Sequence, residues 1–384
     1  MKVRGFDLTY CSNIHAGESW DDVRSSLQRA LPSIRRQLNA QGPFGIGLRL
    51  SARALEQLRR PERLEEFLLF LSDGDYYVPT INGFPFGAFH GERVKEQAYL
   101  PDWRVPARLE YSNQLASLLA ELLAKRGLDR GSVSTVPGAF KGHMRTRDDK
   151  GAIVMNLLEH ARHLARLRDA TGVAITLALE PEPACFIETS AEAVEFFQKY
   201  LFNERAAYEC GVTVDQVRTH IGICFDACHM AIEFEDPAEA LAAFDRAGIS
   251  VPKCQISSAL RVDDDLGRDA LKRFAEDTYL HQVVTRSNGS LSRYADLPDA
   301  LKDADGAEWR VHFHVPIFRR TLGALETTQP DLERFIDLIK MRQDRPCLEV
   351  ETYTWDVLPP EYRTADISEA IARELQWTRE RLEA

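Results

Sequence analysis

HIGICFDACHM, residues 220–230, runs from an apolar, β-like segment into Asp226 and then, three positions on, His229. A lone Asp at such a place reads as a helix N-cap. Three further strings end in the same way. LALEPEP (177–183) delivers Glu180, with Glu182 on the same strand face; KCQISS (253–258) carries Gln255; LEVETYTW (348–355) carries Glu349 and Glu351. The strings come in chain order and are separated by stretches that read mostly as helix. In one parallel barrel the C-terminal ends of such strands converge on a single pocket. The spacing therefore predicts a divalent-cation site at the centre of the protein.

Working outward, β-like runs fall at 3–11, 45–50, 75–81, 132–137, 173–180, 220–227, 252–257 and 346–352. Amphipathic stretches such as AIVMNLLEHARHLARLRDATG and DPAEALAAFDRAG lie between them. Helix punctuation is present: Ser19 with Asp22, Asp236 before Pro237, and Gly127, Gly172 and Gly248 at helix ends. Alternating strands and helices imply a parallel sheet. Eight such units fit an α/β (β/α)8 TIM barrel, read as one domain over 1–384. Long top loops follow strands 3 and 7, as insertions at about 82–105 and 259–345. Both leave the C-terminal ends of their strands, the side on which barrels build active sites. No glycine-rich phosphate loop follows any strand.

A chain of 384 residues, 44% hydrophobic, can bury a large core. The formal charge of −11 works against a phosphate-backbone partner, so no nucleic acid is expected. The seven cysteines form no CxxC pair, the N-terminus lacks an apolar leader, and no apolar run approaches the ~20 residues of a membrane span. The expectation is a cytoplasmic protein with a small-molecule partner. A homo-oligomer or contacts with other pathway proteins stay open.

Three carboxylates and one amide oxygen make a hard donor set that suits Mn²⁺ or Mg²⁺, and recruited imidazoles would move preference toward Zn²⁺, Fe²⁺ or Co²⁺. Beside a cation that polarises a carbonyl, Glu180 and Glu351 can remove and return a proton on the adjacent carbon. Glu182 could replace or assist Glu180. Glu351 lies nearer the strand end than Glu349, with which it shares a face. Gln255 has the alternative of satisfying backbone groups. His229 is a candidate for substrate or metal. His281 and Arg286 are candidates to anchor a polyhydroxyl or anionic ligand, against a loop ion pair, and His15 and His90 are top-loop candidates beside Asn13 and Asn82. His312 and His314 share a face if their segment is extended. His143, His160 and His163 read as structural, and Cys224, Cys228 and Cys254 as small core fillers.

At these positions the sequence resembles the xylose isomerase-like barrel superfamily. That resemblance implies a metal held by Glu180, Asp226 of the DxxH unit with His229, Gln255 and Glu351. HFHVPIF followed by RRTLG resembles the place where endonuclease IV takes extra metal ligands, which implies a second cation at His312 and His314. Over essentially the whole chain, stretches such as LTYCSNIHAGESW, NGFPFGAFHG, STVPGAF and RVHFHVPIF resemble the Ebo-type metabolite-traffic barrel proteins (EboE-like). That resemblance implies a pathway that makes or moves a small metabolite. The function expected is a metal-dependent isomerase or epimerase, or a lyase using the same parts, acting on a small sugar- or cyclitol-like hydroxylated carbonyl compound. The alternatives are a non-catalytic carrier barrel and a metal-dependent phosphoester hydrolase.

Overall fold

The computed structural model describes residues 1–91, 93–364 and 366–384. Each predicted run supplies one strand: β1 (Phe6–Tyr10), β2 (Phe44–Arg49), β3 (Tyr76–Asn82), β4 (Arg130–Thr135), β5 (Ala174–Leu179), β6 (Ile221–Asp226), β7 (Lys253–Ile256) and β8 (Cys347–Val350). They pair in parallel in the order β1, β8, β7, β6, β5, β4, β3, β2. A parallel bridge between Cys11 and Gly47 joins the two ends of this ladder and completes the ring. The strand Lys2–Val3 adds antiparallel to β1 at the closed end of the barrel.

The ring is surrounded by α1 (Trp20–Gln37), α2 (Pro61–Asp73), α3 (Pro106–Lys125), α4 (Arg147–Thr171), α5 (Ser190–Phe196), α6 (Pro237–Ala247), α7 (Gln329–Ile339) and α8 (Ile367–Glu383). Local chemistry sets their ends. Ser19 and Asp22 cap α1 reciprocally, as Thr146 and Asp149 cap α4 and Thr189 and Glu192 cap α5. Asp236 caps α6 ahead of Pro237, and Gly172 and Gly248 end α4 and α6 in the left-handed conformation that glycine adopts without a Cβ penalty.

Strand alternation sorts residues between two environments. The outward set, including Ile223, Phe225, Leu348 and Val350, is buried against helices. Phe225 stacks on Phe335 of α7 with ring centroids 4.4 Å apart. The inward set is small or polar. Thr80 and Ser132 share a hydrogen bond of 2.9 Å, and below the open end Lys253 Nζ lies 2.6 Å from Glu349 Oε1 and donates to Ser134 Oγ at 3.0 Å. Lys253 and Glu349 are both wholly buried. Burial, the largest single effect, would lower the pKa of Lys253, but Glu349 together with Cys224, Cys11 and Glu180 outweighs it and holds the ammonium charged. Glu349 reaches past β1 to β2: a Cβ at residue 47 would lie 1.6 Å from Glu349 Oε2 and 2.8 Å from the backbone oxygen of Tyr10, so any residue larger than glycine there would have to displace both.

The stretch between β7 and α7 builds a sheet of its own. Leu260–Val262, Val283–Ser287, Ser290–Tyr294, Glu308–Val311, Thr321–Leu322 and Leu325–Thr327 form an antiparallel six-stranded layer after β7. Within 259–345 the insertion proper thus ends at about Thr327, and α7 is the barrel's own seventh helix. The loop after β3 contains a helical turn, Lys95–Tyr99, tied to the insertion by the Val94 and Lys95 amides, which both donate to Thr278 O.

Removing one partner of a buried ion pair leaves the other charge uncompensated, which costs roughly 3–5 kcal/mol. Lys253→Met should therefore unfold at markedly lower urea or temperature than the wild type. The double variant Lys253→Met/Glu349→Gln, which buries no charge, should recover much of the loss. Circular dichroism melts check both, and a single variant as stable as the parent would show the pair to be dispensable.

Candidate metal centre

The open end of the barrel carries the strand-end acids. Glu180 follows β5 directly, Asp226 is the last residue of β6, Gln255 lies in β7 opposite Asp226 and Glu349 in the ladder, and Glu351 follows β8. Asp226, Glu180 and Glu351 offer oxygens that lie within 4.8 Å of one another, all buried. Asp226 divides its work between two oxygens. Oδ1 accepts from the amides of Cys228 and His229 at 2.7 and 3.2 Å and from Ser257 Oγ at 2.6 Å, which is the N-cap role. Oδ2 is buried with no hydrogen-bond partner. The same is true of Glu180 Oε2 and of both amide atoms of Gln255. Glu351 is steered by Asn13 and Asn82, whose amides donate to Oε1 at 2.7 and 3.0 Å.

A buried polar atom without a partner costs free energy, and a buried like-charge group costs more. Burial first, then the charges of Glu351 and Asp226, holds the Glu180 carboxyl well above its usual range. Burial first, then Asp226 and Glu349, raises Glu351. A divalent cation would satisfy the bare oxygens and relieve the crowding together, so the residues present fit a metal.

Beside this oxygen set stand three imidazoles with a common orientation. His229 Nδ1–H donates to Pro181 O at 2.9 Å, and His314 Nδ1–H donates to Glu351 O at 2.9 Å. His312 Nδ1–H donates to Gln282 Oε1 at 2.6 Å; the Gln282 amide is fixed by its own donation to Tyr99 Oη, Glu182 Oε1 and Pro183 O. Each ring therefore turns an Nε2 lone pair inward. His229 Nε2 and His312 Nε2 face each other at 3.2 Å, and Asp226 Oδ2 lies 3.6 Å from His229 Nε2 and 4.0 Å from His314 Nε2. Burial pushes His314 down to about 4 and His312 well below its ordinary value, so both are neutral ligands in waiting. An Nδ1–H fixed by an oxygen is the support that metal-bound histidines use. Cys228 also lies within reach of His312 and His314, but burial keeps its thiol protonated.

Glu180, Glu182, His229, His312, His314 and Glu351 line one cleft. Glu182 is held by Tyr99 Oη at 2.6 Å and Gln282 Nε2 at 3.0 Å, beside His312 Nδ1 at 3.6 Å. Four candidates stand off the cleft wall. His281 bridges Glu276 and His312 O and so supports the backbone that carries His312. Arg286 pairs with Glu308 at 2.7 Å and lies over Phe234. His15 meets Tyr10 Oη at 3.2 Å, and His90 packs its ring edge-on against Phe89. Sequence reading gave no role to Asn13, Asn82, Tyr99, Gln282, Tyr353 or Lys253. Two signals were available: Asn82 ends a β-run as the acids do, and Lys253 is a charge inside an apolar strand, two residues before Gln255 and so on its face.

No protein-family model and no curated protein matches the sequence. Two crystal structures of a D-allulose 3-epimerase from Methylomonas sp., one in complex with D-allulose and one with additional C-terminal residues, align over 98% of this chain and 97% and 98% of theirs. Both have a TM-score of 0.50 and 12% identity. A xylose isomerase domain protein from Planctomyces limnophilus aligns over 97% of this chain and 94% of its own, with a TM-score of 0.49 and 14% identity. The likeness to the epimerase is one of fold, that of a parallel (β/α)8 TIM barrel.

Proposed function

We propose that this protein is a metal-dependent isomerase or epimerase acting on a small hydroxylated carbonyl compound. The observation that carries the reading is the convergence of the buried Glu180, Asp226 and Glu351 carboxylates, with Glu180 Oε2, Asp226 Oδ2 and the amide of Gln255, opposite Asp226 in the ladder, lacking partners among the described residues. Glu180, Asp226, Gln255 and Glu351 would hold the ion. His312 and His314, with His229, would hold a second one. A bound divalent cation supplies polarisation of a carbonyl oxygen.

The remaining work falls to the chain. Glu180 takes a proton from the carbon next to the carbonyl. Glu351, oriented by Asn13 and Asn82, returns one. Return to the same carbon from the opposite side gives epimerisation; delivery to the former carbonyl carbon gives isomerisation. Burial of the cleft keeps water from competing for the proton. The resemblance to Ebo-type proteins supports a pathway metabolite as substrate. The three inward imidazoles favour a second reading, phosphoester hydrolysis at a two-ion centre, which release of p-nitrophenol from bis(p-nitrophenyl) phosphate would test.

Purified protein should retain about one or more equivalents of Mn, Co, Zn or Fe by plasma mass spectrometry, and Glu180→Gln and Asp226→Asn should lose most of it. Metal-free protein that takes up no added cation would overturn the reading. Ion-loaded protein should exchange the α-proton of a ketose with D₂O, read by NMR, and Glu351→Gln should slow that exchange by roughly 10²-fold or more. Because burial raises Glu180 and Glu351 above the usual carboxylate range, the ion-free site holds protons near neutrality. Cation binding should therefore release protons at pH 7 and tighten as pH rises, which titration calorimetry in buffers of different ionisation enthalpy reads directly. Affinity independent of pH between 6 and 8 would contradict that sign.

A further inference from the structure

The walls above the acids differ in chemistry from the floor. Phe89 from the loop after β3, Tyr279 from the insertion and Tyr353 from the segment after β8 meet as three rings, with pairwise centroid distances of 5.3, 5.2 and 5.2 Å. All three line the cleft, as do Phe84 and Leu280. Their polar tips are turned to other work. Tyr279 Oη donates to Phe89 O at 2.8 Å, and Tyr353 Oη lies 3.4 Å from His312 Nε2. The rings therefore present faces and edges to the cleft, and Tyr353 brings its ring within 4.7 Å of the His314 ring at the floor.

Charge on the wall is equally selective. Lys95 is the one cationic side chain lining the cleft among the described residues, and its ammonium is consumed by Asp296 Oδ2 at 2.7 Å and Glu276 O at 3.0 Å. The floor carries the carboxylates of Glu180 and Glu351. A phosphate or carboxylate on the substrate would find no free cation on this wall, whereas a flat apolar group would find three rings from three separate segments.

We infer that the substrate is an uncharged compound in which the chelating hydroxy-carbonyl pair is attached to a flat, apolar ring. This rests on the metal-centred reading above for the floor of the site and extends it to the walls. The oxygen pair lies at the acids and the ring lies against Phe89, Tyr279 and Tyr353.

Three α-hydroxy ketones with the same head and different tails test it: 2-hydroxyacetophenone, hydroxyacetone and dihydroxyacetone phosphate. Binding is measured by calorimetry on the full chain, with metal content determined on the same sample. The phenyl compound should bind roughly tenfold or more tighter than hydroxyacetone, and the phosphate should bind no better than hydroxyacetone. Phe89→Ala should remove most of the preference for the phenyl tail without changing hydroxyacetone affinity or metal content. Phe84→Ala is the second wall variant, and a melting curve shows that each is folded. Equal binding of the phenyl and methyl compounds, tighter binding of the phosphate, or a preference untouched in both folded variants overturns the inference. A phenyl preference that is lost on Phe89→Ala in protein that holds no ion supports the ring pocket and overturns only the metal-centred reading.

Discussion

Like charge crowded into a dry barrel mouth is the constraint to which the surrounding structure answers. Two carboxylates within about 5 Å repel by roughly 3 kcal/mol at an effective dielectric near 20, and Glu180, Asp226 and Glu351 form three such pairs. Four features address this. Lys253 sits buried beneath them, with Glu349 as its immediate partner. Asn13 and Asn82 donate to Glu351, and Ser257 with two backbone amides donates to one oxygen of Asp226. Glu180 and Glu351 have raised pKa values, which favours proton uptake in the absence of a cation. The oxygens left over face a common space. The inner barrel is polar for this reason, while its greasy packing lies outside the strands, as where Phe225 meets Phe335.

Most of the fold was legible because each barrel strand leaves a local mark: an apolar run of about the right length, followed by a helix with its own cap. Ser19 with Asp22 and Asp236 with Pro237 could be read from neighbouring residues alone. The strand-end acids were legible for the same reason, since their positions follow from where each run stops. Asp226 illustrates why the bland and sharp readings of one residue need not compete: one oxygen caps a helix and the other is bare. What resisted reading depends on partners distant in sequence. Asn13 and Asn82 matter through Glu351, Gln282 through His312, and Lys253 through Glu349. His15 and His90 sit in loops whose paths the sequence does not specify, Arg286 sits in a strand of the inserted sheet, and they turn toward Tyr10, Phe89 and Glu308.

The insertion after β7 divides labour with the barrel. Barrel strands fix the acids to within the precision of a hydrogen-bonded ladder, whereas His312 and His314 come from the end of an inserted sheet whose own strands pair only with one another. Tyr279 and Gln282 come from the same insertion and meet Phe89 and Tyr99 from the loop after β3. The oxygen donors and His229 are thus scaffold property, and His312, His314 and the aromatic wall are loop property. That partition is how barrels vary chemistry over a constant frame.

The hydrogen bond from Asn13 to Glu351 joins residues 338 positions apart. Asn13 is therefore made 338 residues ahead of the carboxylate it steers. The acids of β5 and β6 emerge before the strand that completes their set, so a growing chain has a partial, weaker chelate until β8 closes against β1. An ion that binds the closed ring and not the open chain pulls the folding equilibrium toward closure. Metal loading at this site would therefore be a chemical report that the barrel is shut.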